Sequence, residues 1–306
     1  MPELKYILID ILPQQEKHYL QNNLGAETIT TIHVNALPGP FLAQLSGFLA
    51  EECIFISENR THVDMAIDMG MATLVYLGTE ELVQSTEKIG PGHDALPQKT
   101  DQMSAESHLS PDMYAEGMEE IDLNFLCRVY QRHHNLPWTI LETERCIVKE
   151  FSMDYLDALF ELYAGEGMTD YMEPLHPYEQ EREYQQSYME NMYRFYGYGM
   201  WLVCEKETGK LIGRAGFDYK KEMGEELQIG YAIGVPYQHR GYATEVCRAI
   251  IDYARTELEI HSICCFIEEK NEKSIGLARK LGFVPRGIVE INGKNLRKFR
   301  WEIPQK

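Results

Sequence analysis

The stretch "VPYQHRGYATEV" (235–246) decides how the second half of this 306-residue chain is read. An apolar run ends at Val235 and an apolar-periodic run begins at Val246, so a strand hands over to a helix across it. The first turn of a helix offers backbone N–H groups without intrahelical partners and about half a unit of positive charge. Gly241 lets the backbone approach a ligand closely, small Ala243 leaves room, and Gln238 and Arg240 can add side-chain donors. A diphosphate is the natural ligand. The same six residues also read as a plain strand-to-helix turn that needs a glycine.

The flanking pattern is α+β. "RCIVKEF" (145–151) reads as a strand, "MDYLDALFELYAG" (153–165) as a helix closed by Gly165, and a polar, Tyr-rich helix follows over roughly 177–196. "MWLVCEK" (200–206), the turn "ETGK" (207–210) and "LIGRAGFDYK" (211–220) give a hairpin signal. A strand over 226–235, a helix over 242–256, the strand "SICCFIE" (262–268), a helix over 271–281 and a finishing stretch at 284–303 complete a mixed sheet.

Three motifs in this region, in this order, resemble the GNAT acetyltransferases: "LETERCIVKEF" (141–151), "IGYAIGVPYQHRGYATEVCRAIIDYA" (229–254) and "NEKSIGLARKLGF" (271–283). The ribosomal-protein N-acetyltransferase branch (RimJ/RimL-like) looks most similar. The resemblance covers about 160 residues and implies an acetyl-CoA-dependent transfer of an acetyl group to a primary amine, small molecule or protein N-terminus, by direct attack in a ternary complex. It also implies the binding residues. Gln238, His239, Arg240, Gly241, Tyr242 and Ala243 match the loop that holds the CoA pyrophosphate through backbone amides, and Ile233 and Val235 match the strand end that pairs with the pantetheine arm. Asn271 matches a cofactor contact, and it also suits the N-cap of its helix.

Acyl transfer to an amine needs a neutral nitrogen, a polarised carbonyl and a proton for the departing thiolate. Relatives often carry Glu directly before the "IGY" segment, where this chain has Gln228, so Glu226 on the same strand face becomes the candidate base. The Tyr that many relatives use as acid is replaced by Ala278. Ser274 is the substitute that the resemblance suggests, with Tyr231 as a third candidate. Direct attack requires no thiol, which leaves Cys264 and Cys265 as core residues of a strand. The segment 165–201, with seven tyrosines, Trp201 and several carboxylates, either forms an aromatic, acidic acceptor cleft or covers the helix–sheet seam. With both usual catalytic residues replaced, an acetyl-CoA sensor with little turnover is the alternative to an enzyme.

Residues 1–84 alternate apolar runs at 6–12, 28–34, 53–57 and 72–77 with helical patterns at 14–22, 41–49 and 61–69, which predicts a small Rossmann-like parallel unit. "ILID" (7–10) and "EECIFISENRTHVDMAIDMGMATLVYLG" (51–78) resemble a degenerate haloacid-dehalogenase (HAD) core. Its phosphoryl chemistry would need a second Asp where Leu12 stands and an acidic pair where only Glu58 fits, with His62 in the other place, so no phosphatase activity is expected. Residues 85–140 read as a linker with helices, one of them capped by Ser110 before Pro111, and Leu123, Leu126, Cys127 and Tyr130 share a helix face. The expected organisation is therefore 1–84 HAD-like, 85–140 linker and 141–306 GNAT.

The net charge of −19 repels nucleic-acid phosphate and mildly favours a cationic partner. Seven cysteines, odd in number and without a C-x-x-C pair or His partners at ligand spacing, suggest neither disulfides nor a metal site. No apolar run reaches the roughly 18–20 residues of a membrane span, and the first thirty residues lack the marks of a secretory leader, so cytoplasm is the expected compartment and no membrane partner is expected. A homodimer is the candidate assembly.

Overall fold

The computed structural model describes residues 2–11, 29–34, 40–77, 110–115, 117, 121–193, 196–218, 227–291 and 293–302. They fall into two units, Met1–Leu136 and Pro137–Lys306.

The first unit is a parallel sheet of β1 (Tyr6–Asp10), β2 (Thr30–His33), β3 (Cys53–Ser57), β4 (Ala72–Tyr76) and β5 (Met113–Ala115), in the order β2-β1-β3-β4-β5. Side chains alternate between faces with period two, and both faces are covered. Ile7, Ile9, Ile54, Ile56 and Leu74 pack with Leu126, Val129 and Tyr130 of a helix at Leu123–His133, while Leu8, Phe55 and Val75 pack with Leu45, Val63 and Ala66. Those last three sit on α1 (Phe41–Leu45) and α2 (Arg60–Asp68), which makes the helix at Leu123–His133 α3. The helix expected at 14–22 lies outside the described residues.

The stretch expected as linker differs. Ser110 and Pro111 precede strand β5, not a helix, because the Asp112 carboxylate accepts from the Thr73 amide at 2.8 Å and draws the chain alongside β4. The helix begins twelve residues later, where Asp122 caps it through the Phe125 amide at 2.7 Å.

The second unit is an eight-stranded sheet: β6 (Thr139–Glu142), β7 (Cys146–Lys149), β8 (Met200–Glu205), β9 (Leu211–Asp218), β10 (Gln228–Ile233), β11 (Ser262–Glu268), β12 (Val284–Ile291) and β13 (Lys294–Glu302). Their order is β12-β13-β11-β10-β9-β8-β7-β6. β6, which the sequence pattern did not separate, forms a hairpin with β7, so β10 is the fifth strand of this unit. The helices are α4 (Leu156–Tyr163), α5 (Tyr178–Tyr188), α6 (Tyr242–Thr256) and α7 (Glu272–Lys280). The Tyr-rich helix is shorter than expected and runs into one π turn at Met189–Tyr193. On one sheet face Trp201 lies edge-on to Phe217 (5.9 Å) and to Tyr253 of α6 (5.8 Å), contacts that add about 0.5–1.5 kcal/mol each beyond their buried area.

The feature that makes a site is the join of β10 and β11. β10 pairs with β9 along its whole length, from Gln228↔Asp218 to Ile233↔Gly213. With β11 it pairs in parallel only at Gln228↔Cys264. Beyond Gln228 the two strands part, and the β11-facing edge of Ile229–Ile233 carries backbone groups without a strand partner.

Candidate functional site

The notch between β10 and β11 ends at the first turn of α6. Gly241 takes the N-cap position at φ +87, in the left-handed region where a side chain is strained, and no side chain caps the helix. Glu245 N–H donates back to the Gly241 carbonyl, which leaves the amides of Tyr242, Ala243 and Thr244 as the orphan donors of the first turn. The approach is open, since His239, Arg240 and Gly241 are exposed.

Arg145, in the turn directly before β7, fixes this loop from behind, a role that sequence reasoning did not find. Its guanidinium bonds Glu245 Oε2 through Nε at 2.8 Å and through Nη2 at 2.7 Å, donates to the Arg240 carbonyl at 3.1 Å, and lies over the Tyr242 ring at 4.2 Å. Thr143 Oγ1 and the Arg145 amide also donate to Glu245 Oε1, at 2.6 and 2.9 Å. Burial works to raise the Glu245 pKa, but these donors outweigh it and hold the carboxyl below its ordinary range. Only the spacing of a carboxylate one turn into a helix hinted at this, and its partner is 100 residues away.

The remaining expected binding residues divide. Tyr242 and Ala243 offer backbone amides; the Tyr242 hydroxyl is turned away, donating to Glu205 Oε1 at 2.8 Å. Gln238 uses its side-chain amide to donate to the Ile233 carbonyl at 3.0 Å, which ties the loop to the strand end. Val235 is not on the strand: β10 stops at Ile233, and Val235–Tyr237 form a 3₁₀ turn whose first carbonyl accepts the Gln238 amide. Pro236, with φ preset and no N–H, favours that turn over a continued strand. Asn271 caps α7 by accepting from the Ser274 amide at 3.1 Å.

Two of the catalytic candidates meet. Tyr231 reaches across the notch from β10 and donates its O–H to Ser274 Oγ on α7 at 2.9 Å. Burial pushes the Tyr231 hydroxyl pKa up, so it stays protonated. The third candidate, Glu226, lies outside the described residues. Gln228 stands at the point where the strands part, 8% exposed, with its side-chain Nε2 buried and without a partner. Burial pushes the Cys265 thiol up to about 12 and raises that of Cys247, so neither offers a thiolate. In the 165–201 segment, Tyr188 and Tyr193 are structural: the Tyr188 hydroxyl accepts from Met200 N–H at 2.8 Å and the Tyr193 hydroxyl donates to the Met200 carbonyl at 2.6 Å. Tyr171, Tyr178, Tyr184 and Tyr196 are exposed.

Residues 145–284 match the acetyltransferase (GNAT) domain family model. An uncharacterised N-acetyltransferase of Bacillus licheniformis, p20, is 29% identical over 152 residues, 49% of this chain and 84% of that protein. The uncharacterised N-acetyltransferase YoaA of Bacillus subtilis is 27% identical over 152 residues, 49% of this chain and 85% of that one. The spermidine N(1)-acetyltransferase of Escherichia coli is 29% identical over 103 residues, 32% of this chain and 54% of that one. Residues 145–284 are therefore similar to GNAT acetyltransferase domains, and the activity this similarity supports is acetyl transfer from acetyl-CoA to an amine. Of turnover and sensing, the two readings open from the sequence, the relatives are named for the first.

Proposed function

We propose that the second unit binds acetyl-CoA with its diphosphate on the amides of Tyr242, Ala243 and Thr244, and its arm along the open edge of β10. The observation that carries this is the parting of β10 and β11 in line with an uncapped helix start at Gly241. An extended arm satisfies strand-edge amides and carbonyls as an added strand would. When bound, acetyl-CoA supplies the acyl group; the chain supplies position and protons. The amine nitrogen forms the new N–C bond as C–S breaks. In this reading Ser274 Oγ–H gives its proton to the departing sulfur, Tyr231 O–H restores it, and the amine's surplus proton leaves through Glu226 to solvent, which returns one to Tyr231. The RimJ/RimL-like branch, suggested by the three sequence motifs, makes a protein N-terminus one acceptor class, and the spermidine relative makes polyamines another. A CoA-thiol release assay over amines, polyamines, aminoglycosides and N-terminal peptides tests the activity; tight acetyl-CoA binding without turnover on any acceptor would refute it.

For the first unit we propose a HAD-like core without phosphatase chemistry. Asp10 ends β1, 5% exposed, and its Oδ2 already takes Ser57 Oγ at 2.8 Å and His62 Nδ1 at 2.6 Å. Both contacts support a structural carboxylate over a nucleophile. Position 12 lies outside the described residues. Magnesium-dependent phosphate release that is lost in Asp10→Asn would overturn this.

A further inference from the structure

Arg214 stands mid-strand in β9, in register with Leu202 on β8 and Ala232 on β10. It is 8% exposed. The hydroxyls of Tyr163, Tyr188 and Tyr193 lie close to it. None of the ion pairs among the described residues involves it, and its Nε is buried without a partner. Removing a cation from water without an opposite charge costs several kcal/mol. A chain with 48 acidic side chains nonetheless sets none of them in an ion pair with this one among the described residues.

Period-two alternation puts Arg214 on the same sheet face as Gly230 and Ala232 of β10, since Gly230 pairs with Gly216 and Ala232 with Arg214. On this face of β10 Gly230 has no side chain and Ala232 only a methyl, and the Met200 sulfur lies 3.4 Å from where a Cβ of Gly230 would stand. One strand spacing, about 4.8 Å, separates the two backbones. The face opposite α6 is also where α4 lies, with Tyr163 at its C-terminal end.

We propose that Arg214 selects the acceptor: it receives a carboxylate carried a few bonds from the reacting amine, as in an α-amino acid. This rests on the acetyltransferase reading and adds the substrate class to it. The surface charge of −19 works against an anion at long range, but it acts through water and salt, whereas the buried guanidinium acts at contact in a poorly screened setting. A polyamine meets the reverse arrangement, since its second ammonium would have to sit beside a buried cation.

The test compares matched acceptors by CoA-thiol release: a set of α-amino acids, the same compounds as carboxamides, and spermidine, with rates referred to the neutral amine. The acids are expected to exceed their amides in kcat/KM by about tenfold to a hundredfold, the range for a hydrogen bond to a charged group. Arg214→Gln is expected to abolish the difference through KM for the acid, with acetyl-CoA affinity unchanged, and Arg214→Lys to keep part of it. Equal use of acid and amide by the wild-type protein, a preference for spermidine, or an equal fall for acid and amide in Arg214→Gln would overturn the proposal. The wild-type comparison decides even where a variant fails to fold. Acetylation of amines without preference would defeat this proposal alone, whereas no acetylation of any amine would defeat the activity and this proposal with it.

Discussion

Arg145 and Glu245, one hundred residues apart, are joined by two nitrogens of one guanidinium on one carboxylate oxygen, at 2.7 and 2.8 Å, and this pair holds the loop on which the diphosphate would rest. The remaining arm of Arg145 grips the Arg240 carbonyl at 3.1 Å, directly before Gly241. The left-handed turn at Gly241 is therefore clamped on its N-terminal side by β7 and continues on its C-terminal side into α6.

Gly241→Asp tests the loop itself. Any side chain at φ +87 costs roughly 1–2 kcal/mol of backbone strain, and a carboxylate there adds negative charge beside the diphosphate. Acetyl-CoA binding measured by calorimetry is expected to weaken by about a hundredfold, equivalent to about 2.8 kcal/mol. Gly241→Ala is expected to show the strain alone. Unchanged affinity in the Asp variant would remove the loop from the binding site.

Arg145→Gln breaks the clamp while leaving the loop sequence intact. The expected result is about tenfold weaker acetyl-CoA binding, the scale of one lost charged hydrogen bond, with kcat at saturating acetyl-CoA little changed. A fall in kcat with unaltered affinity would mean that Arg145 acts elsewhere.

The same pair gives a pH signature. Glu245 has its folded-state pKa held below the ordinary value, so its contribution is present above the unfolded pKa and is lost as pH falls through the folded one. Glu245→Gln should lower stability by about 1–3 kcal/mol at pH 7, and the gap to the wild type should close on acidification below about pH 4. Urea melts at several pH values read this directly. A gap that persists undiminished at the acid end would show that packing, not charge, was lost.

Ser274→Ala and Tyr231→Phe separate the two hydroxyls of the relay. General-acid loss costs about 10²- to 10⁴-fold in rate, so Ser274→Ala should fall in kcat by that order with acetyl-CoA binding retained. Tyr231→Phe, which touches the sulfur only through Ser274, should fall less, and the double variant no further than Ser274→Ala. Additive losses would mean that the two act independently.

What the sequence made legible was local. The strand-to-helix turn at 235–246, the helix faces and the alternating strands are written within a few residues, and period and glycine placement suffice to read them. β5 and β6 were missed because three or four residues show no period, and β5 is placed by Asp112 on a strand 39 residues earlier. The Arg145 clamp and the meeting of Tyr231 with Ser274 are long-range contacts between positions that no spacing rule connects. Val235 was assigned to the strand because it continues the apolar run; Pro236 ends that strand sooner than hydrophobicity suggests.

The cysteines supply the remaining test, because an acyl-enzyme route would need one of them as a thiolate. Burial pushes Cys265, on β11 beside the notch, up to about 12, Cys53 to about 12 and Cys146 to about 11, so at pH 8 each is almost wholly thiol. The folded protein should therefore react slowly with iodoacetamide at pH 8, and its labelling should accelerate on unfolding by urea. Incubation with acetyl-CoA alone, followed by mass spectrometry of the intact chain, should show no covalent acetyl on any cysteine, and Cys265→Ala should retain turnover. An acetyl-thioester trapped at Cys265, discharged on addition of amine, would replace direct attack with a two-step mechanism and would make the Ser274 proton serve a different sulfur.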